Sequence, residues 1–152
     1  MWYHKTMNET QLPSGLFWDN VADACHSVRL ICDWLGMPLE PSFEVDGVKY
    51  LLKDIMCACL MVESGFNVNA VHFNKGLDNK ILSTDYGLCQ INSYWHIGPG
   101  KDFPSAAYVL ANPAECVVWM GKLFIGNQMN LWSSYVSGAF KRYLPFKGPN
   151  QI

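Results

Sequence analysis

The feature that most constrains the fold is an apolar segment of helical periodicity that stops at a single acidic residue. The segment begins near Gly47, carries its apolar residues on a broad stripe, and ends at Glu63, directly before Ser64-Gly65. A stripe of this width predicts a central helix that is buried over most of its surface. Such a helix needs other elements to cover it on several sides, so the chain is expected to fold around it.

Further helices are predicted on both sides of this segment. Apolar residues at helical spacing predict one helix from Leu16 to about Leu35, with Ser14 as its cap and Gly36 as its stop. The same reasoning predicts later helices over residues 105–110, 113–126 and 130–143.

Residues 66–92 differ in composition from the helical segments. Asn and Gly residues separate short β-prone runs at 70–73 and 80–82, which predicts an antiparallel hairpin or a three-stranded sheet. The predicted fold class is therefore α+β, mostly helical with a small antiparallel β region. We expect one domain over residues 1–152: an N-terminal arm and helix (1–45), a core (46–144) and a loose tail (145–152).

Composition excludes several classes of function. Half of the residues are hydrophobic and 16% are charged, which favours a packed core over disorder. The net charge of −2 gives no basic footprint for nucleic acid, and no apolar stretch is long enough to span a membrane. The four histidines show no ligand spacing and the cysteines form no CxxC pair, so no metal is expected. We expect a monomer.

The cysteines and the N-terminal residues bear on the cellular compartment. An even count of six cysteines is compatible with three disulfides. However, the chain starts Met-Trp-Tyr-His-Lys-Thr, without the basic start and apolar run of a secretory signal. A chain kept in a reducing cytoplasm holds its thiols reduced. We therefore expect mostly free, partly buried cysteines, and the sequence is also compatible with one or two disulfides.

Two acidic residues stand in contrasting surroundings. Glu63 follows four apolar residues at the end of the central helix, whereas Asp85 lies in a run of hydroxyl residues within the β region. An apolar setting disfavours ionisation of a carboxyl group, and hydroxyls and turn amides favour it. The pair combines a proton donor with an anion, which is what cleavage of a glycosidic bond requires. Asp85 could instead be a turn-former that binds nearby amides.

The residues around both carboxyls resemble two related families. Residues 63–71, ESGFNVNAV, resemble the E-S-x-F-N-x-x-A stretch of c-type lysozymes and lytic transglycosylases. Residues 83–93, STDYGLCQINS, resemble the S-T-D-Y-G-x-x-Q-I-N-S stretch of c-type lysozymes. Residues 129–132 resemble the lysozyme segment that places a Trp beside the catalytic Glu. Residues 135–138, YVSG, resemble the Y-N-A-G motif of transglycosylases, with Val136 in place of Asn.

The resemblance implies a lysozyme-like fold and an activity. Glu63 would be the general acid, and Asp85 the nucleophile or electrostatic stabiliser. The substrate would be peptidoglycan, cut at the β-1,4 bond between N-acetylmuramic acid and N-acetylglucosamine. Two carboxyl groups suffice for this reaction, so no cofactor is implied.

The resemblance also implies roles for five residues around the carboxyls. Gln90 and Asn92 would line the cleft, although both could simply satisfy backbone groups. Trp95 could stack on a sugar face or belong to the core. Trp132 would supply the apolar surroundings of Glu63. Tyr135 would hydrogen-bond Glu63, or pack against neighbouring helices.

Departures from the lysozyme pattern leave alternatives open. Glu63 and Asp85 are 22 positions apart, more than in c-type lysozymes, and the insertion falls within 75–81. If Asp85 is in place, water would release a reducing sugar. If it is displaced, the muramic acid 6-hydroxyl would give 1,6-anhydro products, as in lytic transglycosylases. A non-catalytic glycan-binding protein, or a structural virion or secretion component, is a third reading. Without a signal peptide, a phage lysin or virion-associated protein acting on the cell wall is expected.

Overall fold

The computed structural model describes residues 12–150 and has an α+β architecture with small antiparallel sheets. Residues 1–11 of the predicted N-terminal arm, and the last two residues of the tail, lie outside the described residues. The N-terminal half contains, in chain order, helix α1 (Val21–Trp34), strands β1 (Phe43–Val45) and β2 (Val48–Tyr50), and helix α2 (Leu52–Glu63).

Helix α1 begins later than the sequence predicts. The start at Leu16 and the cap at Ser14 are wrong, because Asn20 caps the helix by accepting a hydrogen bond from the Asp23 backbone N–H at 2.8 Å. The preceding segment is held instead by Ser27, whose hydroxyl bonds the N–H and the carbonyl of Phe17 at 2.8 and 2.7 Å. These bonds satisfy the Phe17 backbone outside a helix.

A hairpin replaces the predicted start of the central helix at Gly47. Val45 pairs with Val48 across a two-residue turn in which Asp46 and Gly47 both have positive φ, 51° and 82°. This is the geometry that Asp-Gly favours in hairpins. Helix α2 therefore begins only at Leu52.

The predicted small sheet is confirmed and has three strands. Strands β3 (Val71–Lys75), β4 (Ile81–Tyr86) and β5 (Ile91–Asn92) form an antiparallel sheet with β4 in the centre. A short helix α3 (Ser93–His96) follows directly. The predicted insertion, 75–81, lies at the tip of the β3–β4 hairpin, where the register shifts between Asn74 and Lys75.

The C-terminal part is less regular than predicted. Helices α4 (Ala106–Ala111) and α5 (Pro113–Ile125) agree with the sequence analysis. The single helix predicted over 130–143 is wrong: it is divided into a 3-10 turn (Met129–Leu131), helix α6 (Ser133–Val136) and a second 3-10 turn (Ala139–Tyr143). Gly138, with a φ of 80°, interrupts the helical path. Residues 145–150 are not simply a loose tail, since the buried ring of Phe146 lies 5.9 Å from that of Phe66.

Helix α2 is the centre of the core, as predicted. Its buried residues lie on all sides of the helix: Leu52, Ile55, Met56, Cys57, Ala58, Cys59 and Leu60. Helices α1 and α5 and the second 3-10 turn pack around it. None of the helices within residues 12–150 combines the length and the hydropathy that a membrane-spanning helix requires.

All six cysteines are free and buried, so the one or two disulfides that the sequence left open are not formed. Burial raises the pKa of the Cys25 thiol to about 11, and those of Cys32 and Cys59 to about 12. The pKa values of Cys57 and Cys89 are also raised by burial.

We predict that the native protein reacts slowly with a thiol reagent at pH 8. A thiol with a raised pKa holds almost no thiolate at that pH, and burial blocks the reagent. In denaturant all six cysteines should react, since an exposed cysteine has a pKa near 8.5. The measurement is the time course of absorbance with a chromogenic disulfide. Rapid labelling of the folded protein, or fewer than six thiols after unfolding without reductant, would contradict this arrangement.

Candidate active site

Glu63 lies at the end of the buried helix α2, where the chain turns sharply. Gly65 and Phe66 both have positive φ, 61° and 63°, and direct the chain away from the helix. The Glu63 side chain is half-buried, and its Oε2 accepts a hydrogen bond from the backbone N–H of Ser134 at 3.0 Å. One carboxyl oxygen is thereby fixed by the first turn of helix α6.

Trp132 forms an apolar wall of the same region. Its side chain is 4% exposed, and its indole N–H donates to the Cys89 carbonyl at 2.8 Å. Its ring packs edge-to-face against Trp119, with centroids 5.6 Å apart, and lies 5.5 Å from the ring of Phe124. Trp132 is thus a core residue that also lines the region containing Glu63.

Asp85 lies on strand β4 within a network of polar side chains. Its Oδ1 accepts from the Asn92 amide at 2.9 Å and its Oδ2 from the Asn74 amide at 3.1 Å. Both amides also lie 3.1 Å from the Ser83 hydroxyl. The strand register creates this network, because Asn74 lies opposite Ser83 and Asn92 lies opposite Asp85. The Asp85 carboxylate is therefore held in one orientation by the amide groups of Asn74 and Asn92.

A cavity of about 660 Å³ is lined by both acidic residues, Glu63 and Asp85. Its walls are polar on the side of the sheet and aromatic on the side of the helices. The lining residues are Glu63, Asn74, Ser83, Asp85, Gln90, Ile91, Asn92, Trp95, His96, Asp102, Trp119, Asn130, Leu131, Trp132 and Ser133.

Gln90 and Asn92 combine the two roles that the sequence left open. Both line the cavity. Gln90 has a φ of 50°, and its amide donates to the Gly87 carbonyl at 2.9 Å, which closes the turn before β5. The Asn92 side-chain oxygen accepts from the N–H groups of Tyr94 and Trp95, at 3.0 and 3.3 Å, and caps helix α3. The side chains of Gln90 and Asn92 therefore line the cavity and are also held by hydrogen bonds to the backbone.

Trp95 and Tyr135 differ in their position relative to the cavity. Trp95 lines the cavity and is 69% exposed, so its ring is available at the surface. Tyr135 lies outside the lining, and its ring stacks on Phe140 with centroids 5.0 Å apart. The hydrogen bond to Glu63 that was predicted for Tyr135 is made instead by the backbone N–H of the preceding residue, Ser134. Of the two roles that the sequence left open, Tyr135 thus has the packing role.

Several lining residues were missed by sequence reasoning. Asn74 and Ser83 could have been found, since Ser83 shares the alternation of Asp85 on its strand and a hairpin brings Asn74 opposite. His96 ends the short helix α3 and Asp102 lies in the irregular segment that follows, and neither residue gave such a signal. Their side chains pair in the structure, with Nδ1 and Oδ2 2.5 Å apart.

Metal chemistry has no candidate ligand set in the part of the chain that the structure describes. Within residues 12–150, no three or more His, Cys, Asp or Glu side chains are grouped so that they could hold a metal ion.

Comparison with known proteins gives a partial likeness. No protein-family model matches the chain. The chain is similar to sheep (Ovis aries) lysozyme C-3, with 32% identity over 83 residues. The likeness covers 49% of this chain and 54% of the sheep protein, so the chain spans about half the length of the curated relative it matches. This likeness supports a lysozyme-like relationship.

We predict that Trp132→Phe lowers the free energy of unfolding by about 1–3 kcal/mol. Phenylalanine keeps an aromatic ring but leaves the buried Cys89 carbonyl without its donor. Urea unfolding followed by circular dichroism measures the change. Trp95→Phe is the matched control, because that ring is 69% exposed, and it should change stability by less than about 0.5 kcal/mol. Equal effects of the two substitutions would contradict the assigned roles.

Proposed function

We propose that this protein is a muramidase of lysozyme-like fold that cleaves the β-1,4 glycan strands of peptidoglycan. The observation that carries the proposal is that Glu63 and Asp85 line one cavity from different elements, a helix end and a sheet. The likeness to a lysozyme supports the same activity. In lysozymes, one carboxyl group donates a proton as the general acid and the other acts as an anion.

Glu63 is the proposed general acid. Its Oε2 is engaged by the Ser134 N–H, which leaves Oε1 as the oxygen that carries and delivers the proton. The proton passes to the glycosidic oxygen as the bond to the anomeric carbon breaks. The buried indole of Trp132 gives the same cavity an apolar wall.

Asp85 is the proposed anion opposite the anomeric carbon. Each of its oxygens accepts one amide hydrogen bond, a pattern that an ionised carboxylate satisfies fully because it only accepts. As the sugar ring develops positive charge, the carboxylate stabilises it or attacks the anomeric carbon. Asn74 and Asn92 hold the carboxylate so that it need not reorient during the reaction.

The position of Asp85 favours hydrolysis over transglycosylation. The insertion at the hairpin tip does not remove Asp85 from the cavity it shares with Glu63. The register shift lies at Asn74/Lys75, and Asp85 keeps its cross-strand partners on both sides. The alternative, a lytic transglycosylase, needs no second carboxylate and would leave this network without a catalytic purpose.

The test is mass spectrometry of fragments released from purified peptidoglycan. We predict reducing ends from the wild type, and a rate at least about 100-fold lower for Glu63→Gln because proton donation is lost. Asp85→Asn should also lose most activity. Glu44→Gln and Asp78→Asn are matched controls, since both carboxyls are exposed and outside the cavity lining, and they should retain wild-type rates.

Other outcomes would change the proposal in defined ways. Fragments ending in 1,6-anhydro sugars that persist in Asp85→Asn would establish transglycosylation. A folded wild type that releases no Glu63-dependent fragments from several wall types would contradict the enzyme proposal. It would favour the glycan-binding protein or the structural component considered from the sequence.

A further inference from the structure

We propose that His96 is a sugar-binding residue, held by Asp102, that accepts a hydrogen bond from a hydroxyl or an N-acetyl N–H of the glycan. The inference rests on the proposed function in that the cavity must bind a glycan. It adds a specificity-determining residue beyond the two carboxyl groups and their amide partners.

The position of His96 places its ring at the wall of the cavity. His96 is the last residue of helix α3 and lines the same cavity as Glu63 and Asp85. Its ring lies edge-on to Trp119, with centroids 4.9 Å apart, and its side chain is 20% exposed. The imidazole is therefore packed against the aromatic wall while part of it still reaches solvent.

Asp102 fixes the tautomer of His96, a residue of the cavity lining. The imidazole Nδ1 lies 2.5 Å from the Asp102 carboxylate. Because an ionised carboxylate can only accept, Nδ1 carries the proton in this pair. In the neutral ring Nε2 is then an acceptor with a free lone pair. Asp102 is thus a positioning residue that acts through His96.

Closure of the local loop does not explain the pair. The His96 carbonyl already accepts from the Phe103 N–H at 2.9 Å, and the Phe103 carbonyl accepts from the Gly98 N–H at 2.8 Å. These backbone bonds join the two ends of the loop without the side chains. The pair adds what they cannot supply, which is a fixed rotation and tautomer of the imidazole.

Two other uses of a His–Asp pair have no support among residues 12–150. A hydrolytic triad needs a nucleophile bonded to the second ring nitrogen, and no described Ser, Thr or Cys side chain hydrogen-bonds the imidazole. A metal site needs further ligands, and none are grouped around the ring. An acceptor at the wall of a cavity remains.

The glycan offers the donors that this acceptor needs. Amino-sugar units carry hydroxyl groups and acetamido N–H groups along their length. The preceding residue, Trp95, is exposed and lines the same cavity, so it presents a flat apolar surface for a sugar face. His96 beside it supplies the polar contact that fixes which way the sugar ring faces.

The test is calorimetric binding of tri-N-acetylchitotriose to the full chain with His96→Asn, His96→Gln and His26→Asn. Asparagine can still donate to Asp102 but has no group at the Nε2 position, so binding should weaken about five- to tenfold. Glutamine reaches further and offers an amide oxygen, so it should bind more tightly than asparagine. His26 is exposed on helix α1, outside the cavity lining, and its substitution should change nothing.

Kinetics on peptidoglycan separate this role from a structural one. A contact made equally in the ground and transition states raises KM in His96→Asn and leaves kcat within about twofold. Folded His96 variants that bind as tightly as the wild type would overturn the inference while leaving the muramidase proposal intact. A wild type that binds no chitotriose at millimolar concentration would also overturn it. A wild type that binds chitotriose through His96 but cuts no peptidoglycan would defeat only the proposed function.

Discussion

Burial of helix α2 on all sides is the constraint on which the rest of the structure depends. Seven of its twelve residues are buried, and each large apolar side chain among them contributes about 1.5–3 kcal/mol when removed from water. The helix can therefore hardly rotate or shift. Glu63, its last residue, inherits that fixed position and meets the Ser134 N–H at a defined point. A central stabilising element and a reactive side chain are thus the same piece of chain.

The opposite side of the cavity is organised by strand register rather than by burial. Asp85 has amide donors from β3 and β5 because β4 lies between them. Asn92 both supports Asp85 and caps the helix that carries Trp95 and His96. The Asn92 side chain therefore links the orientation of the Asp85 carboxylate to the position of the Trp95 ring. The His96–Asp102 pair adds further polar side chains to the cavity lining, from the end of helix α3 and the loop that follows it.

Long periodic patterns were predictable from the sequence, and contacts set by irregular backbone were not. The apolar stripe of α2 predicted the central helix, and the Asn and Gly residues that separate short β-prone runs in 66–92 predicted the sheet. The β1–β2 hairpin was missed because Val48, Leu51 and Leu52 also fit helical spacing, although Asp46-Gly47 signalled a turn. The partner of Glu63 is a backbone N–H, which no side chain in the sequence signals, and of the two roles left open for Tyr135 the structure shows packing.

The most direct test of the account is a crystal structure of the Glu63→Gln variant with a bound tetra-N-acetylchitotetraose. The central claim is that the two carboxyl positions face one glycan strand within a single cavity. We expect sugar rings in that cavity, one of them on the face of Trp95, with a glycosidic oxygen at the side chain of residue 63 and the ring carbon beside it facing Asp85. A glycan bound on another surface, or bound so that the two side chains contact different strands, would contradict the account.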